Sequence, residues 1–355
     1  MTLRLLISLP PTQRFVRFSR ESILAATLAL ALLLLPALTP AQQQGTTSAT
    51  ASAAAAYPSR PLRLIVPHAA GGNSDAFGRI LGARLAERLG QQVVVENRAG
   101  AGGTVASESI ARATPDGYLF MVGDNGTHAV APTLFAKLNY NVMRDFTPIT
   151  LAASFPTVLL LHPSVPAKNT QEFIALVRAN PGKYSFASAG TGNVSHLAQE
   201  IFRTVAGGLD MTHIPYKGGA PAVQALLAGD VTMTAVSANT ALPHIRSGRA
   251  RPFGVASDKR AAALPDVPTL AEAGLKGAEA GAWLAIFAPP GLPRDIVSVL
   301  NREIVATLNL PEVRERMSAI GLEVIGSSAE HLTAYLPGEL EKWGRAVRIS
   351  GARVD

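Results

Sequence analysis

The sequence predicts an α/β protein built as two lobes, each a sheet flanked by helices. From residue 62 onward, short apolar runs alternate with amphipathic stretches, and Gly, Asn, Asp or Pro joins them. The runs are apolar on both faces, as strands of a helix-covered sheet are. Two longer apolar segments, residues 155–163 and 282–290, suit an outward and a return crossing between two lobes.

Strands are predicted where short apolar runs are bounded by turn residues. They cover residues 62–66, 93–96, 118–122, 157–161, 184–187, 211–214, 231–236, 252–256 and 283–287. Helices are predicted where apolar residues recur at helical spacing, as Phe77, Ile80 and Leu81 do before the stop signal Gly90. They cover residues 75–89, 170–179, 194–205, 220–228, 293–308 and 329–347.

Two crossings make the first lobe discontinuous, because the C-terminal helices must return to it. We predict a signal peptide and disordered leader over residues 1–56. The first lobe is expected over residues 57–158 plus 285–355, and the second over residues 159–284. Residues 42–56 are nearly all Gln, Gly, Thr, Ser and Ala, a composition that buries no core.

The N-terminus has the composition of an export signal. Four arginines stand against one acid, Glu21, and the apolar run over residues 23–38 is shorter than the roughly 20 residues of a membrane-spanning helix. A permanent anchor is the alternative. Small residues at 39–41 and at 51–53 offer two cleavage points, and the sequence does not choose between them.

Charge and cysteine content narrow the class of protein. The chain carries +7, of which the N-terminal segment supplies +4 − 1 = +3, so the exported protein is near +4. So small a surplus, with no basic block interleaved with aromatics, excludes nucleic acid and allows weak attraction of anions. The absence of cysteine excludes disulfides, thiolate metal sites and a lipidated cysteine. We expect a free periplasmic protein, monomeric by default.

The loop over residues 66–76, VPHAAGGNSDA, joins a strand to a strong helix. Gly71 and Gly72 allow a ligand to approach the backbone, and Asn73, Ser74 or Asp75 can cap the helix. Free N–H groups at a helix N-terminus, supported by the helix dipole, form an anion site. The alternative is an ordinary glycine-rich turn in which Asp75 is the cap.

A second loop of the same form covers residues 184–196, YSFASAGTGNVSH. Ser188, Thr191, Asn193 and Ser195 make it dense in polar groups. Ligands of open α/β sheets bind at the carboxyl ends of strands, where both loops lie. Loops from different lobes would therefore face each other across a cleft. The alternative is local capping, with Asn193 as N-cap and His196 as a surface residue.

Further loops add candidates. Residues 213–222, HIPYKGGAPA, contribute Tyr216 and Lys217, although a solvated role suits Lys217 equally well. Residues 123–129 and 237–241 follow predicted strands and contribute four polar side chains to the expected cleft. These are Asn125, Thr127, Ser237 and Asn239.

The sequence motifs of several enzyme classes are absent, because the residues they need do not occur at the required spacing. The glycines of residues 100–103 lack the third glycine of a dinucleotide loop, and no P-loop is present. The seven histidines form no HExxH motif, and no GxSxG elbow occurs. We therefore predict no catalytic residue, metal site or cofactor. A carboxylate-acting hydrolase or isomerase is the rival class, and it would need a base within reach of the ligand.

Several motifs occur in an order that resembles one family. They are YPSRPLRLIVPHAAGGNSD, VVVENRAGAGG, PDGY, SxGxGNxSH, PYKGGAPA and LPDVPTLAEAGL, beginning at Tyr57. The chain resembles the substrate-binding proteins of tripartite tricarboxylate transporters, often called Bug receptors. The resemblance implies a two-lobed periplasmic-binding-protein fold (type II, Venus-flytrap) hinged by two strands. It also implies a carboxylate or related metabolite as ligand.

The resemblance further implies delivery to a membrane permease with one large and one small subunit. Presentation to a membrane sensor kinase is the alternative. In the family, main-chain N–H groups and ordered water hold one carboxylate, at positions matching residues 70–75 and 188–193. Members commonly carry an aromatic residue in place of His68 and often an acid in place of Thr232. The full predicted ligand set is His68, Ala70, Gly71, Gly72, Asn73, Ser74, Asp75, Asn125, Thr127, Ser188, Gly190, Thr191, Gly192, Asn193, His196, Tyr216, Lys217, Ser237 and Asn239.

Overall fold

The structure, a computed structural model, describes residues 57–354. The predicted signal peptide, its two cleavage points and the leader lie outside these residues. Within residues 57–354, every helix is too short or too polar to cross a membrane.

The first sheet has six strands. Their bounds are β1 Leu62–Val66, β2 Val93–Asn97, β3 Leu119–Asp124, β4 Thr147–Phe155, β10 Ala282–Ala288 and β11 Glu323–Val324. They are arranged in the order β11-β4-β10-β3-β1-β2. Strands β1, β2 and β3 are parallel, whereas β10 runs antiparallel to both β3 and β4. The parallel strands place their carboxyl ends, and the loops that follow, at one edge of the sheet.

The second sheet has five strands. Their bounds are β5 Thr157–Leu161, β6 Tyr184–Ser188, β7 Met211–Pro215, β8 Met233–Ser237 and β9 Arg251–Val255. They are arranged in the order β7-β6-β8-β5-β9. Strand β6 is parallel to β7 and β8, and β5 is antiparallel to β8 and β9. The fold is therefore two sheets flanked by helices, which confirms the predicted fold class.

The chain changes sheets at Pro156, between β4 and β5. Thr157 already pairs with Ser237 in the second sheet, and on the return Ala282 pairs with Phe155 in the first. We propose lobe limits at Pro156 and just before Ala282, each within three residues of the expected limits at 158/159 and 284/285. An apolar run shows that a strand is buried, but not which sheet it joins.

Helices cover both sheets. They are α1 Asn73–Leu89, α2 Thr104–Ala111, α3 Ala131–Leu134, α4 Thr170–Ala179, α5 Val194–Val205, α6 Gly219–Ala228, α7 Ala238–Arg246, α8 Arg294–Leu308, α9 Pro311–Ala319 and α10 Ala329–Ser350. Helix α1 packs against α8 and α9, and α10 contacts both β4 of the first lobe and α5 of the second. The C-terminal helix thus joins the lobes.

The six predicted helices and nine predicted strands are all present, with ends shifted by a few residues. The predictions omit β4, β11 and four short helices, among them α7. Strand β4, TPITLAASF, mixes polar and apolar residues and is bulged against β10. Helix α7 contains Pro243, a residue that argues against a helix interior.

A buried carboxylate fastens α10 to β10. Glu339 Oε2 accepts hydrogen bonds from the indole N–H groups of Trp283, at 2.8 Å, and Trp343, at 2.9 Å. Lys342 Nζ lies 2.5 Å from Glu339 Oε1 and balances the charge. A buried charge is tolerated when it is paired and hydrogen-bonded in this way.

Candidate ligand-binding site

A cavity of about 620 Å³ lies between the two lobes. The second lobe contributes one stretch, Ala189, Gly190, Thr191, Gly192, Asn193 and Val194, which joins β6 to α5. The first lobe contributes the opposite wall from several loops. Its lining residues are His68, Ala101, Gly102, Asp124, Asn125, Gly126, Val130, Leu134, Phe135, Phe155, Ala282 and Val354.

The turn between β6 and α5 is held in shape by its own side chains. Ser188 Oγ accepts from Gly190 N (3.2 Å), and Ser195 Oγ accepts from Ala189 N (3.0 Å). Asn193 Oδ1 accepts from Ser195 N (3.0 Å), which confirms its predicted capping role. Within residues 57–354, the N–H groups of Thr191 and Val194 have no acceptor, so both stay free for a ligand.

Two glycines in this turn adopt backbone angles that other residues avoid. Gly190 has φ of 129° and Gly192 has φ of 75°. Gly192 also lacks room for a side chain, because a Cβ there would lie 2.7 Å from Leu134 Cδ1. Glycine at this position therefore lets the second lobe close against helix α3 of the first.

His196 supports the turn from beneath and does not line the cavity. It is 2 % exposed, so the interpretation as a surface residue is wrong. Gly192 N donates to His196 Nδ1 (3.2 Å), and the ring stacks on His213 at 3.9 Å. Burial, with the nearby His213 and Arg203, lowers the pKa of His196 to about 4. The ring is thus neutral at pH 7, as an acceptor must be.

Ser188 is also a supporting residue. Its side chain is buried, and Oγ lies 2.7 Å from Nε2 of His213. The main chain continues the pattern, because Tyr216 N donates to Ser188 O at 2.9 Å. Ser188 and Tyr216 therefore fix the end of β6, from which the cavity-lining turn departs.

A histidine and an aspartate form the polar part of the first-lobe wall. His68 Nε2 lies 2.5 Å from Asp124 Oδ2, and Asp124 Oδ1 accepts from Thr127 N at 2.9 Å. The hydrogen bond to Asp124 raises the pKa of His68, against the opposing effect of burial. Burial alone would raise the pKa of Asp124, but His68 and the Thr127 N–H together lower it. Both shifts favour the imidazolium–carboxylate pair.

Asn125 links this wall to the returning chain. Its Oδ1 accepts from Trp283 N at 2.7 Å, and its Nδ2 donates to Gly281 O at 3.4 Å. The side chain is buried, but the residue lines the cavity next to Phe155 and Ala282, which pair across β4 and β10. Asn125 thus lies where the chain passes between the lobes. Thr127, by contrast, lies outside the lining and supports Asp124.

The start of α1 does not reach the cavity. Of its loop, only His68 is a lining residue, and Ala70, Gly71, Gly72, Asn73, Ser74 and Asp75 are not. Asp75 Oδ2 accepts from Gly71 N at 2.9 Å and from Arg79 Nε at 3.1 Å. Arg79 is the main cause of a lowered pKa for Asp75. Asp75 thus fastens the loop before α1 to the first turn of the helix.

The remaining predicted residues also lie elsewhere. Lys217 is exposed and lines no part of the cavity. Ser237 Oγ is 2.9 Å from Thr240 Oγ1 at the start of α7. Asn239 Nδ2 donates to Ile320 O at 2.8 Å, a contact between the lobes away from the cavity. The side chains of Ser237 and Asn239 are thus engaged in a local contact and an inter-lobe contact, respectively.

Sequence reasoning missed most of the first-lobe wall. The missed lining residues are largely apolar and include Val130, Leu134, Phe135, Phe155 and Val354. Ligand-binding loops are recognised in a sequence by their polar residues and glycines, so apolar lining residues give no such signal. Within residues 57–354, no group of three or more His, Asp or Glu side chains is placed to hold a metal ion.

Two α/β lobes joined by strand crossings, with a cavity between them, define a two-lobed periplasmic binding protein. A family model described as "Tripartite tricarboxylate transporter family receptor" matches residues 77–351. The chain belongs to this family, as its motifs predict. The family consists of substrate-binding receptors and not of enzymes, which confirms the prediction drawn from the failed catalytic motifs.

Relatives and solved structures agree with this assignment. BugT of Bordetella pertussis is 35% identical over 84% of this chain and 91% of its own. Periplasmic binding protein BugD is 36% identical with a TM-score of 0.68, covering 84% of this chain and 99% of BugD. MatC from Rhodopseudomonas palustris with bound malate is 36% identical (TM-score 0.68; 82% and 100% covered). An R. palustris protein with adipate is 32% identical (TM-score 0.71; 84% and 100% covered).

Proposed function

We propose that this protein is an exported periplasmic receptor that binds a small carboxylate between its lobes. It then delivers the ligand to a tripartite tricarboxylate-type permease with one large and one small membrane subunit. The cavity carries the proposal, because the turn over residues 189–194 faces His68, Asp124 and Asn125 across it. Binding of malate by MatC and of adipate by a second relative supports a carboxylate as the ligand.

The carboxylate would be held by the second-lobe turn and by His68. Thr191 and Val194 have free N–H groups at the start of α5, where the helix dipole favours an anion. The imidazolium of His68 donates through Nδ1, because Nε2 is engaged by Asp124. Three such charge-assisted bonds, each contributing on the order of 1.5–3 kcal/mol, would orient the carboxylate, and burial of the rest of the ligand would add to the affinity.

Closure would follow from rotation about the crossings. A single residue, Pro156, separates β4 of the first lobe from β5 of the second, and the chain that returns to the first lobe enters β10 at Ala282. Contacts made only in the closed form, such as Gly192 against Leu134, would provide the difference in free energy that ligand binding requires.

Native mass spectrometry of protein purified gently from the periplasm tests the binding function. We expect a bound mass matching a small carboxylic acid, and calorimetry with that acid should give a saturable isotherm. Thr191→Trp should abolish it, since the bulky ring fills the cavity beside the turn. Thr212→Trp, at an exposed position on β7, is the matched control. Normal binding by Thr191→Trp would contradict the cavity assignment.

Delivery and export need separate tests. Cross-linking in cells and capture of membrane partners should recover a large and a small permease subunit, and recovery of a sensor kinase instead would contradict delivery. N-terminal sequencing of the periplasmic protein should show a start after residue 41 or after residue 53. Retention of the first 22 residues would contradict a cleaved signal.

A further inference from the structure

Among residues 57–354, two of those that line the cavity are ionisable, His68 and Asp124, and they are paired with each other. Lysine and arginine are absent from the lining that this part of the chain forms. The side chain of His68 is 38% exposed, and its Nδ1 makes no hydrogen bond within residues 57–354. One imidazolium and two free main-chain N–H groups make a single place for an anion.

Apart from Asn125 and two glycines, the remaining side chains of the first-lobe wall are apolar, and several of them are neighbours. Leu134, Phe135 and Val354 are held side by side, because Val354 N donates to Leu134 O at 2.9 Å and Phe135 bridges to Val354. Phe155 and Ala282 are paired across neighbouring strands of the same wall. Polar ligand atoms beside these groups would lose water without gaining a hydrogen bond.

The cavity volume of about 620 Å³ is far larger than a four-carbon acid needs. Ligand sites normally bury most of their ligand's surface against the wall. A short, fully polar acid would leave water against Leu134, Phe135 and Phe155. A ligand with an apolar body would displace that water and bury the apolar wall, which is favourable.

A second carboxylate on the ligand would be poorly accommodated. Away from His68 and the turn, it would meet apolar side chains, and near the pair it would be repelled by Asp124. A buried carboxylate without a partner carries a large desolvation cost. The cavity wall therefore favours a ligand with one carboxylate over a ligand with two.

We propose that the ligand is a monocarboxylate with an apolar body, such as an aromatic ring or an alkyl chain of about six carbons. The carboxylate lies between His68 and the turn over residues 189–194, and the body packs against Leu134, Phe135 and Phe155. This inference rests on the proposed receptor function and narrows its ligand class.

Calorimetry on the mature protein at pH 6.5 tests the inference with five probes: benzoate, hexanoate, malate, adipate and the uncharged benzamide. Benzoate or hexanoate should bind at least tenfold more tightly than malate and adipate. Benzamide should bind at least tenfold more weakly than benzoate. A dicarboxylate that binds as tightly as the better monocarboxylate overturns the ligand class and leaves the receptor function standing. Failure of all four acids overturns both.

Variants separate the two halves of the ligand. His68→Gln should weaken benzoate at least tenfold and leave benzamide unchanged, whereas His244→Gln, outside the cavity on α7, should change neither. Leu134→Asn should weaken benzoate and benzamide alike, with its unfolding temperature measured in parallel. Equal benzoate affinity in wild type and His68→Gln would overturn the placement of the carboxylate.

Discussion

Replacement of Gly192 with alanine should weaken ligand binding by opposing closure of the lobes. The new Cβ would lie 2.7 Å from Leu134 Cδ1 and 3.0 Å from Leu134 Cδ2. Leu134 is 9% exposed and lines the cavity, so a ligand whose body fills the cavity would leave its side chain little room to withdraw. Overpacking of this size costs about 1–2 kcal/mol, unless the lobes separate. The contact joins the two lobes, and a bound ligand removes the space that would relieve it, so we expect the cost to fall on the liganded form.

A second penalty arises from the backbone and can be removed by a control. Gly192 has φ of 75°, and alanine in that region costs about 1 kcal/mol. Gly208 has φ of 77°, but a Cβ at that position would meet no other atom of residues 57–354 within 4 Å. Gly208→Ala therefore carries the backbone penalty alone. Both variants should lose about 1 kcal/mol of unfolding free energy from this backbone penalty.

The ligand affinities should then differ between the two variants. A tenfold change in Kd corresponds to about 1.4 kcal/mol. Gly192→Ala should therefore bind the ligand about 5- to 30-fold more weakly than the wild type. Gly208→Ala should bind it with wild-type affinity. Calorimetry and urea unfolding measure both quantities. Equal affinities for Gly192→Ala and Gly208→Ala would refute the closure argument.

Three further predictions concern titration and burial. Asp124 raises the pKa of His68 above its usual 6.5, so the imidazolium is present below that value and is lost as pH rises through the raised pKa. Carboxylate affinity should fall over the same rise in pH, and calorimetry of His68→Gln should show a flat profile. The pKa of His196 is lowered to about 4, so the folded state binds fewer protons than the unfolded state between pH 6.5 and 4. His196 should contribute on the order of 3 kcal/mol to the stability lost across that fall in pH, and urea unfolding should show a loss smaller by that amount in His196→Phe. Glu339→Ala leaves two buried indole N–H groups unpaired and should cost about 3–5 kcal/mol, whereas an unchanged urea midpoint would contradict its role.

Much of the fold was predictable because its strands and helices have regular patterns. Strand β5, TVLLL, is fully buried, and its apolar run identifies it as a strand without knowledge of its neighbouring strands. Helix α5 is amphipathic between Asn193 and Ala206. Strand β4 was missed because its character depends on pairing with β10, 127 residues later at Phe155 and Ala282. Contacts so distant in sequence leave no local signal.

The site was predictable on one wall only. The turn over residues 188–193 has glycines and capping side chains whose chemistry is local, so sequence predicted both its shape and Asn193's role. The loop before α1 has a similar composition, yet only His68 of this loop lines the cavity, and Asp75 accepts a hydrogen bond from Gly71 N. Residues such as Leu134 and Val354 meet at the cavity through the tertiary fold, and their types carry no functional signal.

The self-supported turn has a consequence for how new ligand preferences arise. Ser188, Asn193, Ser195 and His196 hold the second-lobe wall in place without any contribution from the first lobe. Substitutions at Phe135 or Val354 can therefore reshape the opposite wall while the turn over residues 189–194 keeps its geometry. A library of first-lobe substitutions would therefore show how far the shape of the cavity can change while the second-lobe turn stays in place.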